Sequence, residues 1–194
     1  MYKTLIVGRA ACGKDLIAKK LEDKYGWTFV QSYTTRPKRT DNENGHTFIT
    51  KEDVDNFDKN DIVTDTVLND HYYFSTKQQI NDADGYIINP DAIPDLLNAC
   101  PDTYFQIIYI RPKNNDTRYE MAIKRANESD NPDNVLQSYI NRDKDEDAEF
   151  TTFEERIEQN QVHGNMHECV SLVNTYTLEI VDQIADMAES MRRF

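Results

Sequence analysis

The chain is poor in positive charge: 22 Lys and Arg stand against 35 Asp and Glu, a formal net charge of −13 over 194 residues. A surface of that sign repels a phosphate backbone, which argues against sequence-independent binding to a nucleic-acid polymer. Basic residues with a role are therefore expected in local clusters. Cysteine is also scarce, and its three copies, without zinc-type spacing, point to a reducing compartment rather than a disulfide framework. No apolar run approaches the roughly 18 residues of a membrane span, and the N-terminus lacks the regions of a secretory signal. The expectation is a soluble, cytoplasmic protein without a membrane partner, a monomer or homodimer. There is no internal repeat or low-complexity tract. This length suits one core with two mobile insertions.

What is present begins at the N-terminus. Tyr2-Lys3-Thr4-Leu5-Ile6-Val7 reads as a buried strand, and Gly8-Arg9-Ala10-Ala11-Cys12-Gly13-Lys14-Asp15 follows it directly before a helical pattern. The spacing G-x-x-x-x-G-K in that setting is a phosphate-binding loop. Gly8 and Gly13 allow a tight turn, consecutive N–H groups and the helix N-terminus face one anion, and Lys14 meets the outer phosphates of a nucleotide. Such loops normally end in Ser or Thr, whose hydroxyl ligates Mg2+; here Asp15 takes that place. A carboxylate can hold Mg2+ directly or through water, and it equally suits the first turn of a helix. Cys12, close to Lys14, is expected to have a lowered thiol pKa, though nothing marks it as a nucleophile.

Apolar periodicity predicts strands at 27–30, 46–50, 62–67, 72–74, 86–89, 103–110 and 169–173. It predicts helices at 14–24, 51–58, 77–82, 91–99 with Pro94 interrupting, 118–126 and 134–148, and a closing amphipathic helix marked by Leu178, Val181, Ile184, Met187 and Met191. Strands alternating with helices imply an α/β fold, a parallel sheet covered on both faces. Ligands then sit at the carboxyl ends of the strands, where the loops after Val7, Val30, Ile88 and Ile110 converge. The acidic run from 143 to 147 reads as a solvated helix face.

Ser32-Tyr33-Thr34-Thr35-Arg36-Pro37-Lys38-Arg39, followed by Glu43-Asn44-Gly45, concentrates three of the basic residues. Guanidinium groups bind phosphate oxygens in bidentate fashion, so this cluster suits a second phosphate. Together with the loop at Gly8 and with Tyr72-Tyr73-Phe74-Ser75-Thr76, which looks like a Y-Y-G-S-T segment, the arrangement resembles the guanylate kinase family. The resemblance covers most of the chain and is most specific before residue 80.

The resemblance implies a three-layer P-loop NTPase fold: a core of residues 1–31, 86–114 and 155–194, an NMP-binding insertion at 32–85 and a lid at 115–154. It implies ATP and Mg2+ as cofactors and transfer of a phosphoryl group to a nucleoside or deoxynucleoside monophosphate. Catalytic roles fall to Lys14, Arg36, Arg125 and Arg142. ATP is held by the loop from Gly8 to Asp15 and by Asn174, near the donor adenine. The acceptor meets Ser32, Arg36, Arg39, Tyr73, Ser75 and Asn89, and the metal Asp15 and Asp91. For Arg125 and Arg142 a surface ion pair is an equal alternative.

Two departures concern the acceptor. The glutamate with which the family reads guanine falls at Thr64, so an acid is present only if the register slips by one to Asp65. The family's tyrosine after the glycine is either His46 or Phe48. Loss of polar partners in a base pocket changes preference sharply. The G-K-D ending also resembles phage deoxynucleoside monophosphate kinases and ribose 1,5-bisphosphate kinases. The latter share a T-R-P segment and an E-N-H, compared here with Thr35-Arg36-Pro37 and Glu43-Asn44-Gly45-His46. A catalytically inactive guanylate-kinase-like binding module is the other alternative, against which the intact Gly8, Gly13 and Lys14 count. His163, His167 and Cys169 have a spacing that suits a metal if helical, but Gly164 and the lack of a fourth ligand count against a site.

Overall fold

The computed structural model describes residues 2–38, 41–68, 70–158 and 166–192, apart from the side chains of 158 and 166–168. Arg39 and His163 lie outside the described residues, as does the side chain of His167. The main sheet has four parallel strands, β1 (Tyr2–Val7), β6 (Gly85–Ile87), β7 (Tyr104–Pro112) and β8 (Met166–Asn174), in the order β6-β1-β7-β8. β1 and β7 are apolar runs because both of their faces are covered.

Alternation along these strands sorts the core into two layers. Leu5, Val7, Phe105, Ile107 and Tyr109 face one side and pack with Ile93 and Leu96 of α3 (Ile93–Ala99) and with Phe150 and Phe153 of α5 (Pro132–Glu158). Ile6, Ile108 and Ile110 face the other and pack with Ile17 and Leu21 of α1 (Lys14–Tyr25) and Val181, Ile184 and Ala185 of α6 (Leu178–Arg192). Helix, sheet and helix make the three layers, as expected. Among the described residues no helix is long and apolar enough to cross a membrane.

A second, smaller sheet has the order β3-β2-β5-β4, from β2 (Tyr33–Thr34), β3 (Thr47–Phe48), β4 (Ile62–Leu68) and β5 (His71–Thr76). Tyr33, Phe57 and Phe74 cluster on it with ring centroids 4.6 to 5.1 Å apart, Tyr33 stacked on Phe74 and Phe57 edge-on to Phe74. Val63 ties this sheet to the core layer of Leu5, alongside Ile80 of α2 (Lys77–Asp82) and Tyr86. Thr76 starts α2 with a capping box closed by Gln79. α4 (Asn115–Asn127) opens on Asn114, whose side chain accepts from Thr117 N.

Several expected elements differ. The strand at 27–30 is reduced to one bridge, Phe29 to Gly85. Gly26, in the left-handed conformation, has just ended α1, and Thr28 spends its backbone on Asp84 and Gly85. The helix at 51–58 is a single 3-10 turn, Glu52–Asn56, with no buried residue to hold a longer one. β6 stops at Ile87, because Pro90 starts another 3-10 turn and Asn89 leads into it. α5 extends to Glu158, since Phe150 and Phe153 anchor it on the sheet well past the expected end at 148.

Candidate active site

β1 delivers the glycine-rich loop from Gly8 to Asp15 to the carboxyl edge of the main sheet. Gly8 is packed so closely that a Cβ there would lie 2.5 Å from Cys12 Sγ and 2.6 Å from the carbonyl of Ile110. Gly13 has φ +90°, and its Cβ would stand 2.3 Å from Asn174 Nδ2. Asn174 is fully buried; its Nδ2 donates to the Cys12 carbonyl at 3.0 Å and its Oδ1 accepts from Tyr176 N at 2.7 Å. It therefore braces the loop from behind instead of facing a donor base, and Tyr176, whose hydroxyl donates to Ala11 O at 2.6 Å, lines the cleft in its place. Gly13→Ala must both strain the backbone and displace Asn174. The expected result is a loss of about 1–3 kcal/mol of stability, read from the denaturation midpoint.

Cys12 corrects an expectation. Its thiol is buried, and burial raises its pKa above the ordinary value despite Lys14 nearby, so only its backbone belongs to the site. Lys14 Nζ folds over the loop and donates to the carbonyls of Gly8 at 2.5 Å and Arg9 at 3.0 Å.

The acidic run on α5 is not a solvated face throughout. Glu146 is 1% exposed; one carboxylate oxygen accepts from Ala10 N of the loop at 3.3 Å and the other from Arg142 Nε. Arg9 pairs with Asp147 at 2.9 Å and lies over the Phe150 ring. Arg142 also donates from Nη2 to Asn89 Oδ1 at 3.3 Å, so, with its side chain 25% exposed, it is a partly buried strut tied to the buried Glu146. Arg125 does match the surface alternative: half exposed, it stands 3.7 Å from the exposed Asp15. Arg118 was not singled out from the sequence. It is 3% exposed, bonds Asp143 and lies over the Tyr139 ring, tying α4 to α5. The available signal was its place on the face of Ala122 and Ala126, four and eight residues on.

Glu149, half-buried on the same helix, accepts from Asp91 N at 3.1 Å. Burial first and the Asp91 carboxylate next push its pKa up to about 7, from 4.5. The folded chain thus holds this proton more tightly than the unfolded chain, so stability falls as pH rises from 4.5 to about 7. Thermal melts across that window are expected to show the decline, and Glu149→Gln to flatten it.

In the smaller sheet a β-bulge between Ile62 and Thr64 turns both Val63 and Thr64 inward. Thr64 Oγ1 meets Ser75 Oγ at 2.6 Å and Tyr86 OH at 3.2 Å, all buried. Asp65 is exposed and accepts from Tyr72 OH at 3.0 Å, whereas Thr64 is the buried residue of the two. Ser32 Oγ and His46 Nδ1 are 3.0 Å apart, and the His46 ring meets Tyr73 edge-on. Phe48 instead lies under Arg36. Arg36 is 9% exposed and gives a bidentate pair to Glu43, at 2.9 and 3.1 Å.

A cleft of about 860 Å³ joins these parts, from Lys14 and Asp15 past Asn89 and Arg142 to Ser32 and Thr64. A cavity of about 320 Å³ adjoins it, sharing Tyr73 and Arg142 and reaching Arg36. Ser75 and Asn174 lie behind these walls. Among the described residues no group of three or more His, Cys, Asp or Glu is placed to hold a metal. Asp15 faces Arg125, whereas exposed Asp91 accepts from Thr66 at 3.5 Å.

Comparison with known proteins agrees with this architecture. A guanylate kinase from Anaplasma phagocytophilum superposes with a TM-score of 0.57 at 12% identity, over 98% of this chain and 85% of that one. An uncharacterized protein from Eubacterium ventriosum aligns at 14% identity over 98% of each chain, with a TM-score of 0.38. A search of curated proteins returns no match. The family model for guanylate kinase matches residues 1–176, and the chain belongs to the guanylate kinase family.

Proposed function

We propose that this protein is a cytoplasmic nucleoside monophosphate kinase, transferring the γ-phosphoryl group of ATP to the phosphate of a nucleoside or deoxynucleoside 5′-monophosphate. The observation that carries the reading is the single cleft that joins the phosphate loop to a second polar pocket, with Arg142 on the boundary. Phosphoryl transfer asks little covalent chemistry of a protein. It needs two anions aligned, their charge neutralised and water excluded.

Support for the donor half comes from Gly13, whose missing side chain leaves the loop close to Asn174. Lys14 leaves the carbonyls of Gly8 and Arg9 to hold the outer phosphates. Asp15 is the residue at the cleft mouth that would hold Mg2+, which when bound neutralises charge between the outer phosphates. Arg36 and Tyr73 hold the acceptor phosphate, and Arg142 reaches the group in transfer. The base meets the hydroxyls of Ser32, Thr64 and Tyr86 and the His46 ring, with Thr64 at the position where the family resemblance puts a guanine-reading glutamate.

One observation favours the binding-module reading: Glu146 holds Ala10 N, where a donor phosphate would sit. A coupled ADP-release assay with ATP-Mg2+ against GMP, dGMP, AMP, dAMP, CMP, dCMP, UMP, dTMP and ribose 1,5-bisphosphate tests the proposal. Turnover with a nucleotide is expected. Silence across the panel, with no thermal stabilisation by ATP-Mg2+, would favour the module.

A further inference from the structure

Two buried nitrogens without a hydrogen-bond partner, Arg36 Nε and His71 Nδ1, belong to residues that line the same cavity of about 320 Å³. Buried polar atoms are nearly always satisfied, so two orphans around one space mark a place for a ligand or ordered water. The arginine cannot turn away to find another partner. Its Nη1 and Nη2 are spent on Glu43 and on the carbonyl of Pro37 at 2.8 Å, and its guanidinium rests over Phe48, 5.2 Å from the ring centre. His71 opens β5 two residues before Tyr73, so strand alternation puts both side chains on one face, and both line the cavity. Arg142 closes the opposite wall from α5.

The charge balance singles out the histidine. Arg36 is matched by Glu43 and Arg142 by Glu146. With both guanidinium charges offset, the cavity offers hydrogen-bond donors rather than net charge, the orphaned Arg36 Nε and His71 Nδ1 coming from separate elements beside the side chains of Asn134, Gln137 and Asn141, which suits a tetrahedral oxyanion approached from several sides. An imidazole donates from Nδ1 in one neutral tautomer and in the protonated ring.

We infer that His71 is an additional binding residue for the acceptor's phosphate, donating from Nδ1 beside Arg36 Nε and so helping to select an acceptor that carries a phosphate at that end. The inference rests on the kinase reading of the adjoining cleft. It adds a residue that the chain's family resemblance did not supply.

The test is a titration of histidine-15N-labelled protein with inorganic phosphate, followed by NMR, with His71 assigned by its loss in His71→Ala. Phosphate is expected to move the His71 ring signals. His71→Ala is expected to raise the acceptor KM about tenfold or more with the KM for ATP unchanged, and His71→Asn, which keeps a short N–H donor, to recover part of the loss. Ring signals indifferent to phosphate, or an acceptor KM unchanged in a folded His71→Ala, would overturn the inference while turnover kept the kinase reading intact. If no acceptor turns over but phosphate still moves His71 and loses affinity in His71→Ala, the anion site stands and the kinase reading falls.

Discussion

Lys14→Ala is expected to lower phosphoryl transfer by about 10² to 10³-fold, the cost of removing one preorganised donor to developing charge. The fold should survive. Lys14 is partly exposed, and its ammonium group contacts only the carbonyls of Gly8 and Arg9, not the core. Those two contacts lie within the loop, so truncation leaves the β1 to α1 turn to Gly8, Gly13 and Asn174. A melting temperature near that of the parent, with turnover collapsed, is the expected pair of readings. Turnover that persisted would remove the donor site from the loop. Lys14→Arg should not restore full activity, because a planar fork does not replace a compact ammonium between two carbonyls.

The second large effect is expected at Arg142, and it differs in kind. Arginine groups on transferring phosphates contribute about 10³ to 10⁵ in turnover, so Arg142→Ala should be at least as damaging as the lysine change. Here stability should fall as well. Arg142 is the partner of Glu146, which is 1% exposed, and removing it leaves a buried carboxylate with Ala10 N as its other contact. Breaking a buried pair from one side typically costs about 3–5 kcal/mol. The double variant Arg142→Ala with Glu146→Gln should regain much of that stability and none of the turnover. Denaturation and steady-state kinetics on both single variants and the double variant separate the two roles. If the double variant recovered activity, Arg142 would be a structural partner of Glu146 alone.

The main sheet was legible because its strands are apolar on both faces: Leu5 and Ile107 on one, Ile6 and Ile108 on the other, with helices of matching periodicity between them. The loop was legible because its chemistry demands two glycines and a lysine at fixed spacing. What the sequence obscured depends on partners distant along the chain. Arg36 reads as a free cation until Glu43 is seen beside it. The acids of α5 read as solvated until Glu146 meets Ala10 and Arg142, which precede it by 136 and by four residues. The choice between Thr64 and Asp65 turned on a bulge, a one-residue event that alternation does not announce. The family resemblance puts Asn174 near the donor adenine, yet its amide is taken up by Cys12 and Tyr176.

The central claim is direct transfer between two anions held in one cleft. It is tested most directly by following radiolabel from γ-labelled ATP in the presence of each monophosphate. The account predicts label in a nucleoside diphosphate, dependent on Lys14 and Arg142. Label released only as inorganic phosphate, or retained in ATP with every acceptor, would contradict it.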